Sequence, residues 1–367
     1  MLDRRIPVTL LTGFLGAGKT TLLNAVLNDP ASARIAVIVN EFGEAGLDHD
    51  LIQSSSDEIV LMQSGCLCCS VRGDLATTMA DLIDRRDAKE LEFERIVIET
   101  TGLADPGPIL QTLVVEPFLS RVTRMDGVVT VADAVNGPAT LDAQFEAVSQ
   151  AAMADLIVLS KTDLAAEADV TAFEARLRGI NPNARLMRAE RGQGVTQQIW
   201  GLSGLRQDAK PAEAVLWASA PAAAAGADPL ANLSGLGGKA TRATPEFSPH
   251  DSRIGSASIV LDDPIPDKVF DLWLETLIEL KGPDILRVKG IVFLEGVDAA
   301  FVFHGVQQVF DSPVPHRDWP SDDRRSRIVV IARDITNPEL QRSLDMLRAG
   351  TIAAARNRAE AEAAGEG

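Results

Sequence analysis

Up to about residue 200 the chain alternates short, nearly continuous apolar runs with stretches whose apolar residues recur every three or four positions. The runs IPVTLLT (6–12), RIAVIVN (34–40), RIVIET (95–100), GVVTVAD (127–133), ADLIVLS (154–160) and ARLMRA (184–189) have strand length. Between them Leu22, Leu23, Val26 and Leu27, and later Val71, Leu75, Met79, Leu82 and Ile83, form stripes at helical spacing. Strands alternating with amphipathic helices predict an α/β domain over 1–206 with a mostly parallel sheet.

The pattern then breaks. Residues 207–250 include APAAAAGADPLANLSGLGGKATRATPEFSPH, rich in Ala, Gly, Pro and Ser without a sustained period, which reads as a flexible linker. A second, smaller α+β domain is expected over 251–350. Its predicted strands are SRIGSASIVL (252–261), ILRVKGIVFLEG (285–296), AFVFHGVQQVF (300–310) and RRSRIVVIA (324–332). Val269, Phe270, Trp273, Leu274, Leu277 and Ile278 mark one helix, a short helix near 337–347 closes the domain, and 351–367 reads as a frayed tail. There is no internal repeat.

Composition narrows the function classes. The formal net charge is −17, from 35 basic and 52 acidic residues, which argues against a nucleic-acid partner. No run approaches the ~20 apolar residues of a membrane helix, and MLDRRIPVTL lacks a signal peptide's apolar segment and cleavage site. A cytoplasmic location without a membrane partner is therefore expected. The only three cysteines, Cys66, Cys68 and Cys69, fall within four residues. That clustering suits metal binding or redox chemistry better than a disulfide scaffold.

Residues 13–20, GFLGAGKT, fit G-x-x-x-x-G-K-[ST] between a predicted strand and a predicted helix, the context that separates a P-loop from a chance glycine-rich turn. Gly13, Gly16 and Gly18 let backbone N–H groups wrap phosphate, and the helix N-terminus adds a field favourable to anions. Lys19 is expected at the β/γ-phosphates, as a catalytic residue, and Thr20 on Mg²⁺. Ala17 and Thr21 belong to the same nucleotide-binding set. In IVIETTG (96–102), Glu99 is placed to hold Mg²⁺ or its water, a catalytic role, and Gly102 to sense the γ-phosphate; a helix-capping role for Glu99 stays open. SKTD (160–163) stands where N-K-x-D reads guanine: Asp163 would accept both guanine N–H groups and Lys161 would lie along the base. Ser160 departs from the usual Asn and makes fewer contacts. The other reading is a surface turn with Asp163 as a helix N-cap.

Cys66-Leu67-Cys68-Cys69 lies between NEFGEAGLDHD (40–50) and ETTG, just before a predicted helix whose N-terminus would favour thiolates. Thiolates suit Zn²⁺, Cu⁺ or Co²⁺. Glu41 or His49 could complete a tetrahedral set. A Cys66–Cys69 redox pair and plain buried cysteines are the alternatives.

Taken together, GFLGAGKTT, NEFGE, GCLCC, ETTG and SKTD, in this order, resemble the CobW-type GTPases, metal-chaperone-like members of the SIMIBI class of P-loop proteins. RVKGIVFLEG…FHGVQQVFD is similar to the CobW C-terminal domain. The resemblance implies that a transition metal, zinc first and cobalt second, binds GCLCC. It also implies that GTP binding and hydrolysis set metal capture and release to a client metalloprotein, with slow turnover in the absence of a partner. One departure is the lack of the His-rich linker tract of many relatives: the chain has four histidines, and only His250 lies near that region. His304, between Phe301 and Phe303, reads as a sheet histidine, and His316 is given no role. A metal- or redox-sensing GTPase switch and an ATP-dependent P-loop kinase are the competing functions; SKTD speaks against the kinase.

Overall fold

The computed structural model describes residues 4–40, 60–63, 71–203, 211–218, 253–310, 313–316, 319 and 323–365. The first domain runs β1 (Ile6–Thr12), α1 (Lys19–Leu27), β2 (Ile35–Asn40), β3 (Val60–Gln63), α2 (Val71–Asp87), β4 (Arg95–Thr100), α3 (Gly107–Val115), α4 (Leu119–Val122), β5 (Thr123–Asp133), α5 (Gly137–Ala143), α6 (Phe145–Met153), β6 (Leu156–Ser160), α7 (Glu167–Ile180) and β7 (Arg185–Arg188). Its seven strands pair in parallel in the order β3-β2-β4-β1-β5-β6-β7. Leu10, Ile38, Ile96 and Ile98 face α2, α3, α6 and α7 on one side. Leu11, Val37, Val97 and Val129 face α1 on the other. Both faces are covered, so the strands read as unbroken apolar runs.

After α8 (Pro211–Ala218), the second domain runs β8 (Ile254–Leu261), α9 (Asp267–Lys281), β9 (Ile285–Phe293), β10 (Ala300–Val306), β11 (Val309–Phe310), β12 (Val314–His316), β13 (Ser326–Arg333) and α10 (Asn337–Gly365). Its sheet is antiparallel in the order β11-β10-β9-β13-β8, with β12 also on β10. One face packs under α9 and α10 through Trp273, Leu277, Leu340 and Leu344. The opposite face meets α8 and the first domain, whose core takes in Leu286, Val306, Val329 and Ile331.

Two sequence expectations need correction. The stretch 207–250 is not a linker throughout, because Pro211–Ala218 forms α8 and buries Ala214, Trp217 and Ala218 on the second sheet. The Trp217 indole supplies enough apolar area to fix an Ala-rich segment that composition alone suggests is loose. Nor does the final helix stop near 347 and fray: α10 runs to Gly365, consistent with the high helix propensity of its Ala, Glu and Arg residues.

The domains are joined by a buried carboxylate. Asp155, just ahead of β6, accepts both Nη2 bonds of Arg287 at 2.9 and 2.8 Å and the Trp217 Nε1–H at 3.0 Å. Lys289 Nζ lies 2.5 Å from the same carboxylate, and the Val128 N–H donates to it at 2.8 Å. Burial alone would raise its pKa, but Arg287 and Lys289 outweigh that and hold it far below the carboxylate range. Burial lowers Lys289 to about 8, against the opposing pull of Asp155. Asp155→Asn leaves two buried cations uncompensated. The expected loss is about 3–5 kcal/mol of unfolding free energy, read by urea denaturation. Because the folded-state pKa of Asp155 is depressed, its contribution is complete above the unfolded carboxylate pKa of about 4 and is lost as pH falls below it. Acid titration of the variant should lack this component.

Candidate functional site

The strand ends that matter lie at one edge of the first sheet, as parallel pairing requires. β1 ends at Thr12 and the loop to α1 turns on glycines with left-handed φ: 141° at Gly13, 72° at Gly16 and 100° at Gly18. A Cβ at Gly13 would overlap the Val131 carbonyl of β5. Ala17 N–H closes the loop on Phe14 O at 3.1 Å. No side chain caps α1 and no acidic residue occupies its first turn. A phosphate group is thus suited to the N–H groups that open the helix.

Lys19 bends back over the loop, donating to Gly13 O at 2.9 Å and Phe14 O at 3.4 Å. Thr20 Oγ1 donates to Glu99 Oε1 at 3.0 Å. Glu99 is buried at the end of β4, beside Leu11 of β1. Its bond runs to Thr20, and the N-cap position of α3 is Pro106, so the capping alternative has no counterpart here. A hydroxyl and a carboxylate oxygen converging beside the phosphate loop are the hard donors Mg²⁺ takes, so these residues fit that ion. Gly102 follows at the loop between β4 and α3. A Cβ there would lie 2.5 Å from Leu15 N and 2.7 Å from Leu15 Cα, so the two loops touch backbone to backbone.

The SKTD turn closes over the same loop. Ser160 Oγ donates to Ala17 O at 2.6 Å, and Lys161 Nζ donates to Gly16 O at 2.9 Å. The serine therefore ties the SKTD turn to the phosphate loop. Asp163 is exposed in a 3₁₀ turn, Thr162–Leu164, and α7 begins later, after Ala166, so Asp163 is not its N-cap. Thr21 lies in the first turns of α1 against the loop after β7, where a Cβ on Gly192 would come within 3.2 Å of Thr21 O.

Several contributors carry no motif. Asp133 ends β5 and pairs with Lys161 at 2.6 Å. Burial works against its charge, but hydrogen bonds from Lys161, Asn136 and Val135 prevail and hold its pKa below the ordinary value. An acidic residue closing a buried strand was the available signal, the same one that marks Glu99. Gln150 on α6 is 1% exposed and donates from Nε2 to Gly102 O at 3.1 Å and Ala104 O at 3.0 Å. Nothing in the sequence points to it.

Cys66, Cys68, Cys69, Glu41 and His49 lie outside the described residues. Their described neighbours leave from the site edge: Asn40 pairs with Thr100, next to Glu99, and Gln63 pairs with Val39. Among the described residues no group of three or more His, Cys, Asp or Glu is placed to hold a metal. His304 is buried in β10, edge-on to Trp217 with ring centroids 6.3 Å apart. His316 ends β12 beside Trp319, and burial lowers its pKa. No helix among the described residues is long and apolar enough to cross a membrane.

A parallel sheet carrying this loop, with a lysine-aspartate turn over it, defines a P-loop nucleotide-binding protein. The chain belongs to the CobW/HypB/UreG family: residues 7–188 match its nucleotide-binding domain, and 254–348 match the cobalamin synthesis protein cobW C-terminal domain. It is 33% identical over 346 residues to the zinc chaperone YjiA of Escherichia coli K12, covering 94% of this chain and 99% of that protein. It is 31% identical over 377 residues to the zinc chaperone CobW of Pseudomonas aeruginosa, covering 93% and 91%. The crystal structure of Zn(II)-bound YjiA GTPase from E. coli superposes with a TM-score of 0.69 at 29% identity, covering 94% of this chain and 99% of that one.

Gly102→Ala forces a methyl group into the backbone at Leu15. Nucleotide affinity, measured by titration calorimetry, should fall about 10-fold or more, with a stability loss of about 1–3 kcal/mol from overpacking.

Proposed function

We propose that this protein is a GTP-binding and GTP-hydrolysing metallochaperone. It takes up a transition metal, zinc in first place and cobalt in second, at Cys66, Cys68 and Cys69 with Glu41, and releases it to a client metalloprotein when GTP is hydrolysed. Similarity over nearly the full length to two proteins named zinc chaperones supports the cargo. A relative named zinc-regulated GTPase metalloprotein activator 1, from Schizosaccharomyces pombe, supports the client relation; it is 34% identical over 195 residues, about half of each chain. The observation that carries the nucleotide half is the seating of Ser160 and Lys161 on the phosphate loop. That seating supports reading Asp163 as the carboxylate that accepts the two N–H groups of guanine, which adenine does not offer in that arrangement.

The roles follow from position. Gly13, Gly16, Ala17 and Gly18 present backbone to the phosphates, and Lys19 leaves its carbonyl partners for the β/γ-phosphates. Thr20 and Glu99 would hold Mg²⁺, which when bound neutralises charge on the phosphates. Glu99 orients water near the γ-phosphate, Thr21 joins the phosphate contacts, and Gly102 touches the P-loop where loss of that phosphate is felt. The thiols lie in sequence between the segments that meet the nucleotide. GTP therefore favours the metal-holding arrangement and hydrolysis relaxes it, through differential affinity for the two states. The protein works in the cytoplasm, and turnover is slow until a partner supplies a stimulating group.

Replacing Cys68 and Cys69 by Ser should abolish zinc binding in equilibrium dialysis while leaving GTP binding nearly intact. Joint loss of both would make the cysteines structural and defeat the reading. Asp163→Asn removes the acceptor for two guanine N–H groups. GTP affinity should fall by about 2 kcal/mol or more, roughly 30-fold, with xanthosine triphosphate favoured instead. Unchanged preference, or tighter binding of ATP than GTP by the parent protein, would return the chain to the kinase reading.

A further inference from the structure

The loop between β4 and α3, residues 101–106, is bounded by two elements, and the second domain grips both. Beneath it, Gln150 donates to Gly102 O and Ala104 O. One helical turn further along α6, Met153 O accepts Arg287 Nη1 of β9 at 3.0 Å, and Arg287 is bidentate to Asp155. Asn181 fixes the same helix end through the carbonyls of Ala151, Ala152 and Ala154 at 2.9–3.0 Å. At the loop's exit, Gly107 opens α3, its N–H held by Asp105 Oδ1 at 2.9 Å. Gln307, at the turn between β10 and β11, lies over this helix start: a Cβ on Gly107 would be 3.4 Å from Gln307 Nε2. The Gln307 side-chain oxygen accepts Gln111 Nε2, one turn along α3.

Gln307 stands in the left-handed region, φ 55°, and its own N–H donates to Ile285 O, so the turn is fastened to the second domain. Leu286, Val306, Val329 and Ile331 of that domain share a continuous core with Ile109, Leu110 and Leu113 of α3. The loop therefore cannot shift relative to the P-loop at Gly102 and Leu15 without loading Gln150, α3, or both.

We propose that Gln150 and Gln307 are positioning residues that couple loop 101–106 to the second domain, so that this domain sets GTP turnover and nucleotide state sets the contacts of the β10–β11 turn. The proposal rests on the GTPase reading above. Coupling of binding free energies is reciprocal: a client that engages the β10–β11 turn better in one nucleotide state would favour that nucleotide, and γ-phosphate loss would loosen the turn. In this coupling Gln150 acts through Gly102 and Gln307 through α3.

The test uses the full chain. Gln307→Ala removes a half-buried side chain from a surface turn, and Gln150→Leu removes the buried donor. Steady-state GTP hydrolysis by each should show kcat reduced about 3- to 10-fold, and the ratio of affinities for a non-hydrolysable GTP analogue and for GDP should shift. A purely structural role would instead lower the affinities together. Amide hydrogen exchange at residues 305–310 of the parent protein should differ between the GDP complex and that of a non-hydrolysable GTP analogue. This second measurement stands even if Gln150→Leu does not fold. Unchanged kcat in Gln307→Ala together with identical exchange in the two complexes would overturn the coupling. If the parent protein hydrolyses no GTP, the functional reading falls instead, and exchange with the nucleotide that does bind decides the coupling alone.

Discussion

Asp155 is a single carboxylate sealed from water, and four groups from three elements converge on it: the N–H of Val128 in β5, the Trp217 indole of α8, and Arg287 and Lys289 of β9. A buried anion must be matched by charge and hydrogen bonds, or its desolvation cost is left standing. Burial, with Arg287 alongside, leaves Lys289 with a depressed pKa despite Asp155, and a buried ion cluster of this kind holds its partners in place more than it adds stability. What it fixes is the relation of the two domains, with α8 clamped between them. From Asp155, β6 runs directly to Ser160 and Lys161, so the SKTD turn and the domain junction are opposite ends of one strand.

The site follows from the edge to which the parallel strands deliver their last residues. Thr12, Asp133 and Ser160 end three neighbouring strands and Glu99 is the last residue but one of the fourth, and each touches another part of the site. The closeness of Gly102 to Leu15 sets the loop after β4 directly against the P-loop, with no room for a Cβ at Gly102.

The legible parts of the sequence were those in which one rule decides. Buried parallel strands have nowhere to place polar residues, so β1, β2, β4 and β6 stand out as apolar runs, and the phosphate loop has a fixed spacing before a helix. β5 starts at Thr123 rather than 127 because its register against β1 shifts past Val8, where Asp126 leaves the apolar pattern to bind Arg124 and the Gly201 N–H. β3 is only four residues long. In β9 the alternation Arg287, Lys289, Ile291 resembles a strand with a partly solvated face, whereas that face is buried against the first domain and α8. An ion pair 132 residues apart in sequence leaves no local trace. Gln150 is equally silent, since beside Ser149 nothing local marks it as the polar residue that reaches the loop after β4. The thiol cluster is the reverse case: three cysteines within four residues stand out in the sequence, and they lie outside the described residues.

The central claim is that nucleotide hydrolysis drives metal release to a client. The most direct measurement is zinc transfer from the loaded protein, with Mg²⁺ present, to an apo-metalloprotein of higher zinc affinity, followed by recovery of that enzyme's activity. The account predicts faster transfer with GTP than with either a non-hydrolysable analogue or no nucleotide, at a rate that tracks phosphate release. Equal transfer rates under all three conditions would contradict it.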